Sequence, residues 1–413
     1  MASVSTPPDA APAPSVLRGR VVTPQAVIDD GVVVVDADRI VHVGPSSRVA
    51  GTPWADLVRA TPPPADGVHV LPGLVDLHDH GGGGASFPDA ADAAEAMVAV
   101  AEHRRHGTTS LVASLVTAAP DVLRRQVSTL AALAEAGEIA GIHAEGPFLS
   151  TVRCGAQDPA YIVDPDLDLV DALADLGRGH LVTMTFAPEA PGATGPGGLV
   201  ERLVARGVVP SIGHTDAAAD VTRVALEESW ALLGEEGGRS RRPTVTHLFN
   251  GMRELHHRAP GPIPPLLRAA AEGRCVVELI ADGTHVDPSL VADVVALVGA
   301  ENVALVTDAM AAAGMADGTY RLGPADVVVD HGVARLAAGG SIAGGTAHLL
   351  DVVRTTVAGG VSLVAAVHAA ATTPAAVLGD PSIGALEAGR RADVLVTDSG
   401  LRPRRVLRAG VAV

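Results

Sequence analysis

The chain has 413 residues, 47% of them hydrophobic and 2% aromatic, and its 30 basic and 47 acidic residues give a formal net charge of −17. That charge argues against nucleic acid as a partner, which needs a basic surface, and the scarcity of aromatics favours a core of small aliphatics, as in parallel sheets wrapped by helices, over a β-sandwich. Every basic residue is arginine. Lysine Schiff bases, a phosphate-loop lysine and a carboxylated-lysine metal bridge are therefore excluded, and any bridging metal ligand must be a plain carboxylate.

The N-terminal "MASVSTPPDAAPAPSV" has no basic leader and no apolar run, and reads as a Pro/Ala-rich disordered tail over residues 1–15. Next come "VLRGRVVTP", "GVVVVDA" and "RIVHVG", short β-rich runs divided by Asp and Gly turn signals. The C-terminal "ADVLVTD" and "RRVLRAGVAV" have the same texture. The two ends are expected to form one small composite β-domain, from 16–70 and 383–413. Between them, over 71–382, short apolar strands alternate with Ala/Leu-rich helical segments, the signature of βα units.

Eight strand candidates follow in order: "LPGLVDLH", "TTSLVASLV", "IAGIHAEG", "LVTMTFAP", "VVPSIGH", "TVTHLF", "CVVELIAD" and "NVALVTDA". Eight such units predict an α/β fold, a (β/α)8 TIM barrel carrying the small composite β-sandwich domain. In that fold the chemistry sits at the C-terminal ends of the strands. No segment is long and apolar enough to span a bilayer. Cys154 and Cys275 are too few for a disulfide framework or a thiolate zinc site, which fits a cytoplasmic protein.

The predicted strand ends share one kind of residue. The first closes on His78 and His80 in "DLHDHGGGG", where alternation puts both imidazoles on one face with Asp79 opposite. The third ends in Glu145 and the fifth in His214, the sixth carries His247, and the eighth ends in Asp308. A single strand-end His or Asp is more often a cap or loop contact. Six at one barrel mouth point to a metal centre for zinc, with iron, manganese or cobalt also suited to imidazole and carboxylate. One or two divalent ions fit, with Glu145 as the bridge. Two ions roughly 3.5–4 Å apart generate an activated hydroxide near neutral pH, so the expected reaction class is metal-assisted hydrolysis.

These residues resemble the amidohydrolase superfamily. Within it, "GIHAEGPFLS", "SIGHTDA", "THLFNGM", "ADGTHV", "LVTDAM" and "GALEAGRRADVLV" resemble the N-acetylglucosamine-6-phosphate deacetylases, from about residue 16 onward. The resemblance implies removal of acetate from an N-acetylated amino sugar 6-phosphate. It makes Glu145, His214 and His247 a metal triad, His78 and His80 ligands of a further ion, and Asp308 the catalytic acid/base. By the same resemblance Asn250 and Gly251 contact the sugar phosphate, His285 contacts substrate, and Arg258 reaches the site of the partner subunit in a homodimer. The loop "GGSIAGGT", with Ala343, resembles one lining the substrate pocket. One position departs: "RCGAQDP" has Gln157 where the family commonly has a histidine that polarises the acetyl carbonyl. Glutamine donates a hydrogen bond but carries no charge, and an ion on His78 and His80 is expected to take over that polarisation.

The four glycines after His80 suit either close approach of backbone amides to the site or a flexible turn. His103 and His106 read as a solvated helix face, and His256 and His257 as loop residues near Arg258. Two other readings remain: a superfamily deaminase or cyclic amidase on a different substrate, the amidase disfavoured by the missing lysine, and a non-catalytic scaffold, which should have lost ligands that are all present here.

Overall fold

Parallel strands need long crossovers, so each must be followed by a covering helix, and the eight apolar runs do form such a sheet. In the computed structural model, which describes residues 13–64, 66–236 and 238–413, they are Leu74–Asp79, Thr108–Leu115, Gly141–Glu145, Leu181–Phe186, Val209–Ile212, Thr244–Val245, Val276–Leu279 and Val303–Leu305. Neighbours in sequence are neighbours in the sheet. The first and last strands close the ring beyond the regular ladder: Asp308 N–H donates to His78 O at 2.9 Å and His80 N–H to Ala309 O at 2.7 Å. The (β/α)8 barrel is therefore complete, and both closing bonds lie at its C-terminal rim.

Asp92, Asp166 and Asp287 cap their helices by accepting backbone N–H groups of the first turn, and Pro120 and Pro288 occupy first-turn positions where no N–H is needed. The apolar faces of these helices pack on the outer surface of the barrel through Leu123, Leu130, Leu169 and Leu173 among others. Part of the lumen is polar. Ser114 Oγ meets His143 Nδ1 at 3.0 Å, His143 Nε2 meets Thr185 Oγ1 at 2.7 Å, and Thr246 Oγ1 contacts Thr185 at 2.7 Å and Ser211 at 2.6 Å. Small aliphatics fill the barrel wall as the composition implied, but a buried hydrogen-bond chain lies inside the barrel.

The chain ends combine into a seven-stranded, mostly antiparallel sheet. Ser15–Val22, Val27–Asp36, Arg39–Pro45 and His69–Pro72 join Val394–Thr397, Pro403–Arg408 and Val411–Ala412. The sheet curls on itself, since Ile40 N–H bonds to Arg390 O and Ala392 N–H to Asp38 O. Leu17, Val33, Ile40, Val70, Val394 and Leu407 fill the space between its two halves. Residues 1–12 of the expected tail lie outside the described residues, and Ser15 already pairs with Val35. A three-stranded antiparallel sheet, Gly318–Leu322, Ala325–Asp330 and Val333–Leu336, follows the eighth barrel strand and was not anticipated. Among the described residues no helix is long and apolar enough to cross a membrane.

Candidate metal centre

All six strand-end residues meet at the C-terminal rim. His80, Glu145, His214, His247 and Asp308 line one cavity of about 220 Å³ with Gln157, Asn250, Gly251, His285 and Ala343, and His78 is buried directly behind His80. Three of them, His214, His247 and Asp308, have positive φ of 44°, 31° and 46°. That backbone region is costly for a side chain with a Cβ and persists where the surroundings force it, commonly at functional sites.

The spacing of the candidate ligand atoms tests whether an ion fits. Atoms bound about 2.0–2.1 Å from a tetrahedral ion lie roughly 3.3 Å from one another. His78 Nε2 and His80 Nε2 are 3.0 Å apart, and Asp308 Oδ1 is 3.3 Å from the first and 3.2 Å from the second. Glu145 Oε2 is 3.1 Å from His80 Nε2 and 3.7 Å from His78 Nε2. His78, His80 and Glu145 thus form one convergent ligand group, with Asp308 Oδ1 against both imidazoles. The other oxygen, Glu145 Oε1, lies 2.9 Å from His214 Nε2 and 2.8 Å from His247 Nε2, a second convergent group. Glu145 thus divides its two oxygens between two ligand sets, as a bridge requires.

Electrostatics agrees with the spacing. Burial opposes charge on His80, but hydrogen bonds with Asp308 and Glu145 outweigh it and push the imidazole up to about 9. Burial likewise opposes charge on His78, which the charges of Asp308 and Glu145 nonetheless hold well above the ordinary range, and His214 is raised by Glu145 against the same burial. Burial would raise Glu145, yet His78, His214 and His247 hold its carboxyl far below the usual value, and Asp308 is drawn down to about 2 by His78 and His80 against its own burial. Positive charge is favoured where the two ligand sets converge, with protons standing in for cations.

Backbone carbonyls orient two of the rings, Ser114 O at 3.1 Å from His80 Nδ1 and Arg153 O at 2.8 Å from His214 Nδ1. Gln157 is fixed at both ends: its Oε1 accepts Thr117 N–H at 2.7 Å, which leaves Nε2 to donate to Glu145 Oε2 at 2.6 Å. His285 Nδ1 bonds to Asp282 Oδ2 at 2.8 Å; burial opposes charge on this ring, but the Asp282 hydrogen bond raises it. Asn250 N–H is committed to His247 O. Gly251 has φ of 62°, and a Cβ there would stand 2.8 Å from His214 Nδ1, so the metal histidine itself requires glycine. Arg258 does not line the cavity: it is exposed, with Nη1 2.6 Å from His257 Nε2.

Two expectations require correction. The four glycines do not turn their amides to the site; they form a hairpin whose turn lies at Gly83 and Gly84 and is held by hydrogen bonds. Gly81–Gly82 pairs with Ala85–Ser86, Gly81 N–H bonds Asp79 Oδ1, and Gly83 and Gly84 bond Ala313 O and Ala311 O. At Gly82 a Cβ would lie 2.6 Å from His103 Nε2, so a side chain there would collide with the imidazole. His103 is accordingly fully buried rather than solvated, with Nε2 bonded to Gly81 O at 3.0 Å. Burial lowers the imidazole and raises its neighbour Asp79 to about 8, so burial disfavours charge on both members of the 3.2 Å contact between them.

A second histidine cluster nearby is of a different kind. Glu102, His106 and His348 lie close together, but the two imidazoles stack at 3.6 Å with their planes 14° apart. Lone pairs in stacked rings run side by side instead of converging on one ion. Glu102 is already bound by Arg105 at 2.5 Å and His348 at 3.0 Å, which makes this an ion-paired network.

Several supporting residues escaped sequence reasoning: Glu278, Asp282, His143 and Thr117. Asp282 was visible three residues before His285, the others only through the fold.

The chain matches the amidohydrolase family over residues 69–412. It is 33% identical over 344 residues to an N-acetylgalactosamine-6-phosphate deacetylase of Escherichia coli O157:H7, covering 82% of this chain and 85% of that one. Human N-acetylglucosamine-6-phosphate deacetylase is 33% identical over 356 residues, 83% of each chain. The structure of a mutant N-acetyl-D-glucosamine-6-phosphate deacetylase of Mycobacterium smegmatis, in complex with N-acetyl-D-glucosamine-6-phosphate, superposes with a TM-score of 0.85 at 42% identity over 97% of this chain and 99% of that one. The chain therefore belongs to the amidohydrolase family and, within it, to the N-acetylated amino sugar phosphate deacetylases.

Proposed function

We propose that the protein hydrolyses N-acetylglucosamine-6-phosphate to glucosamine-6-phosphate and acetate, using one or two divalent ions, zinc foremost. The observation that carries this reading is the division of Glu145 between two ligand sets, His78 and His80 on Oε2 and His214 and His247 on Oε1, with Asp308 against the first pair of rings, in a cavity shared with Gln157, Asn250 and His285. A divalent ion bound there supplies Lewis-acid polarisation of the amide carbonyl and an acidified water.

The chain's own groups do the rest. Asp308 takes a proton from the attacking water as the carbon–oxygen bond forms, and returns it to the amine nitrogen as the carbon–nitrogen bond breaks. Gln157 keeps one Nε2–H on Glu145 and has a second for the acetyl oxygen. Asn250, Gly251 and His285 bind the sugar phosphate, with Asp282 holding His285 as a donor. Among the described residues no arginine lines the cavity, although a phosphate dianion calls for one. Arg258, exposed and outside its own pocket, suits delivery into a partner's site, which makes the active form a homodimer with shared sites. The two free thiols fit a cytoplasmic location.

The similarity to the E. coli N-acetylgalactosamine-6-phosphate deacetylase favours one second reading, the C4 epimer as substrate. Acetate release measured on both sugar phosphates at equal concentration separates them. The first reading expects a higher kcat/KM for the gluco epimer, the second the reverse, and no acetate from either contradicts both.

A further inference from the structure

We propose that Glu278 is a positioning residue that fixes His78 for metal binding and gives the His78–His80 ion site its affinity. The inference rests on the ligand assignment above and goes beyond it.

Glu278 sits on the seventh barrel strand between Val277 and Leu279, 3% exposed. Its Oε2 lies 3.4 Å from His78 Nδ1 and 3.3 Å from the backbone nitrogen of His247. Among the described residues no arginine pairs with it. A carboxylate taken out of water without a strong cationic partner is costly to keep, so its retention calls for a reason.

The four ligand histidines show what that reason is. Behind His80 and His214 stand neutral backbone carbonyls, and Nδ1 of His247 is buried without a partner. Among the described residues only His78 has a carboxylate behind it. With Nδ1–H donated to Glu278, the Nε2 lone pair of His78 must face His80, Asp308 and Glu145. A carboxylate behind a ligating imidazole fixes ring orientation and strengthens it as a donor. The second contact of Oε2, on the backbone of His247, leaves that ring untouched. The influence of Glu278 is therefore directed to one ion site of the two.

The test is a zinc titration of metal-free protein against a chromophoric chelator, with far-UV circular dichroism and a thermal melt to verify folding. Wild type is expected to show two binding steps, and His78→Gln to lose or severely weaken one. Glu278→Gln, which keeps shape and removes charge, should weaken that same step by about 10- to 100-fold and leave the other within about twofold. Glu278→Asp should recover part of the loss. The double variant should bind no more weakly than His78→Gln alone, because Glu278 acts through His78. Unchanged affinities in a folded Glu278→Gln protein, or a loss in the step that His78→Gln leaves intact, overturn the proposal while sparing the ligand assignment. If His78→Gln itself leaves both steps intact, the ligand assignment fails and this inference fails with it. Should Glu278→Gln not fold, Glu278→Asp carries the comparison by the same criteria.

Discussion

Gln157 Nε2 donates to Glu145 Oε2 across 2.6 Å, so the residue at the position where the family resemblance implies a histidine grips the carboxylate that links the two ligand sets. Its other end is held by Thr117 N–H. Gln157→Ala removes both contacts in a buried setting and leaves Thr117 N–H without its acceptor. The loss should cost ~1–3 kcal/mol of stability in the metal-free protein, measured by denaturant unfolding. Gln157→His should partly rescue the activity of a His78→Gln enzyme, because an imidazolium can supply the carbonyl polarisation that a lost ion no longer gives.

Asp308→Asn should lower turnover by about 10²-fold or more, since an amide cannot carry the proton that cleavage requires. Because Asp308 touches the rings of His78 and His80 and not those of His214 or His247, the ion on the second set should remain. Metal analysis beside steady-state kinetics reads both effects. Near wild-type turnover would remove Asp308 from the chemistry.

The raised imidazoles fix a pH dependence. His80 in the metal-free fold titrates near 9 against an ordinary 6.5, so its contribution to stability is fully present below about 6.5 and is lost as pH rises toward about 9. Metal-free protein should therefore melt at a lower temperature at pH 9 than at pH 6.5. Metal binding needs the same nitrogen without its proton, so affinity should rise over that window, and zinc addition at pH 7.5 should release protons detectable with an indicator dye. A pH-independent affinity from 6.5 to 9 contradicts this account.

Much of this site was legible before the fold was known because its ligands end strands, and strands announce themselves as apolar runs closed by a polar residue. "SIGH" and "LVTD" each show the ligand at the boundary. Glu278 was hidden for the opposite reason: it lies inside "CVVELIA", where one acid in an apolar strand gives no hint of which ring it meets across the barrel. His103 was misread because "EHRRHG" is rich in charge, while the Gly81–Gly82 backbone that covers it is distant in sequence. The sheet over Gly318–Leu336 lies beyond the eighth barrel strand and outside the run of βα units on which the reading rested.

Arg258→Ala should raise KM for the phosphorylated sugar by about ten- to a hundredfold, the worth of a charged hydrogen bond, and affect the unphosphorylated sugar far less. Mixing it with Asp308→Asn subunits distinguishes the two placements of the residue. If Arg258 serves the neighbouring subunit, heterodimers regain one site with both residues intact, and activity recovers after subunit exchange. No recovery after verified exchange places Arg258 outside the partner's pocket.

The central claim is metal-dependent deacetylation of an amino sugar phosphate, and acetate release from N-acetylglucosamine-6-phosphate by chelator-stripped protein, before and after zinc is restored, tests it most directly. The account predicts negligible acetate from the stripped protein, recovery on adding one to two equivalents of zinc, and no recovery in a Glu145→Gln variant whose carboxylate can no longer serve both ligand sets. Undiminished acetate release from the stripped protein, or none from the zinc-loaded wild type, would contradict it.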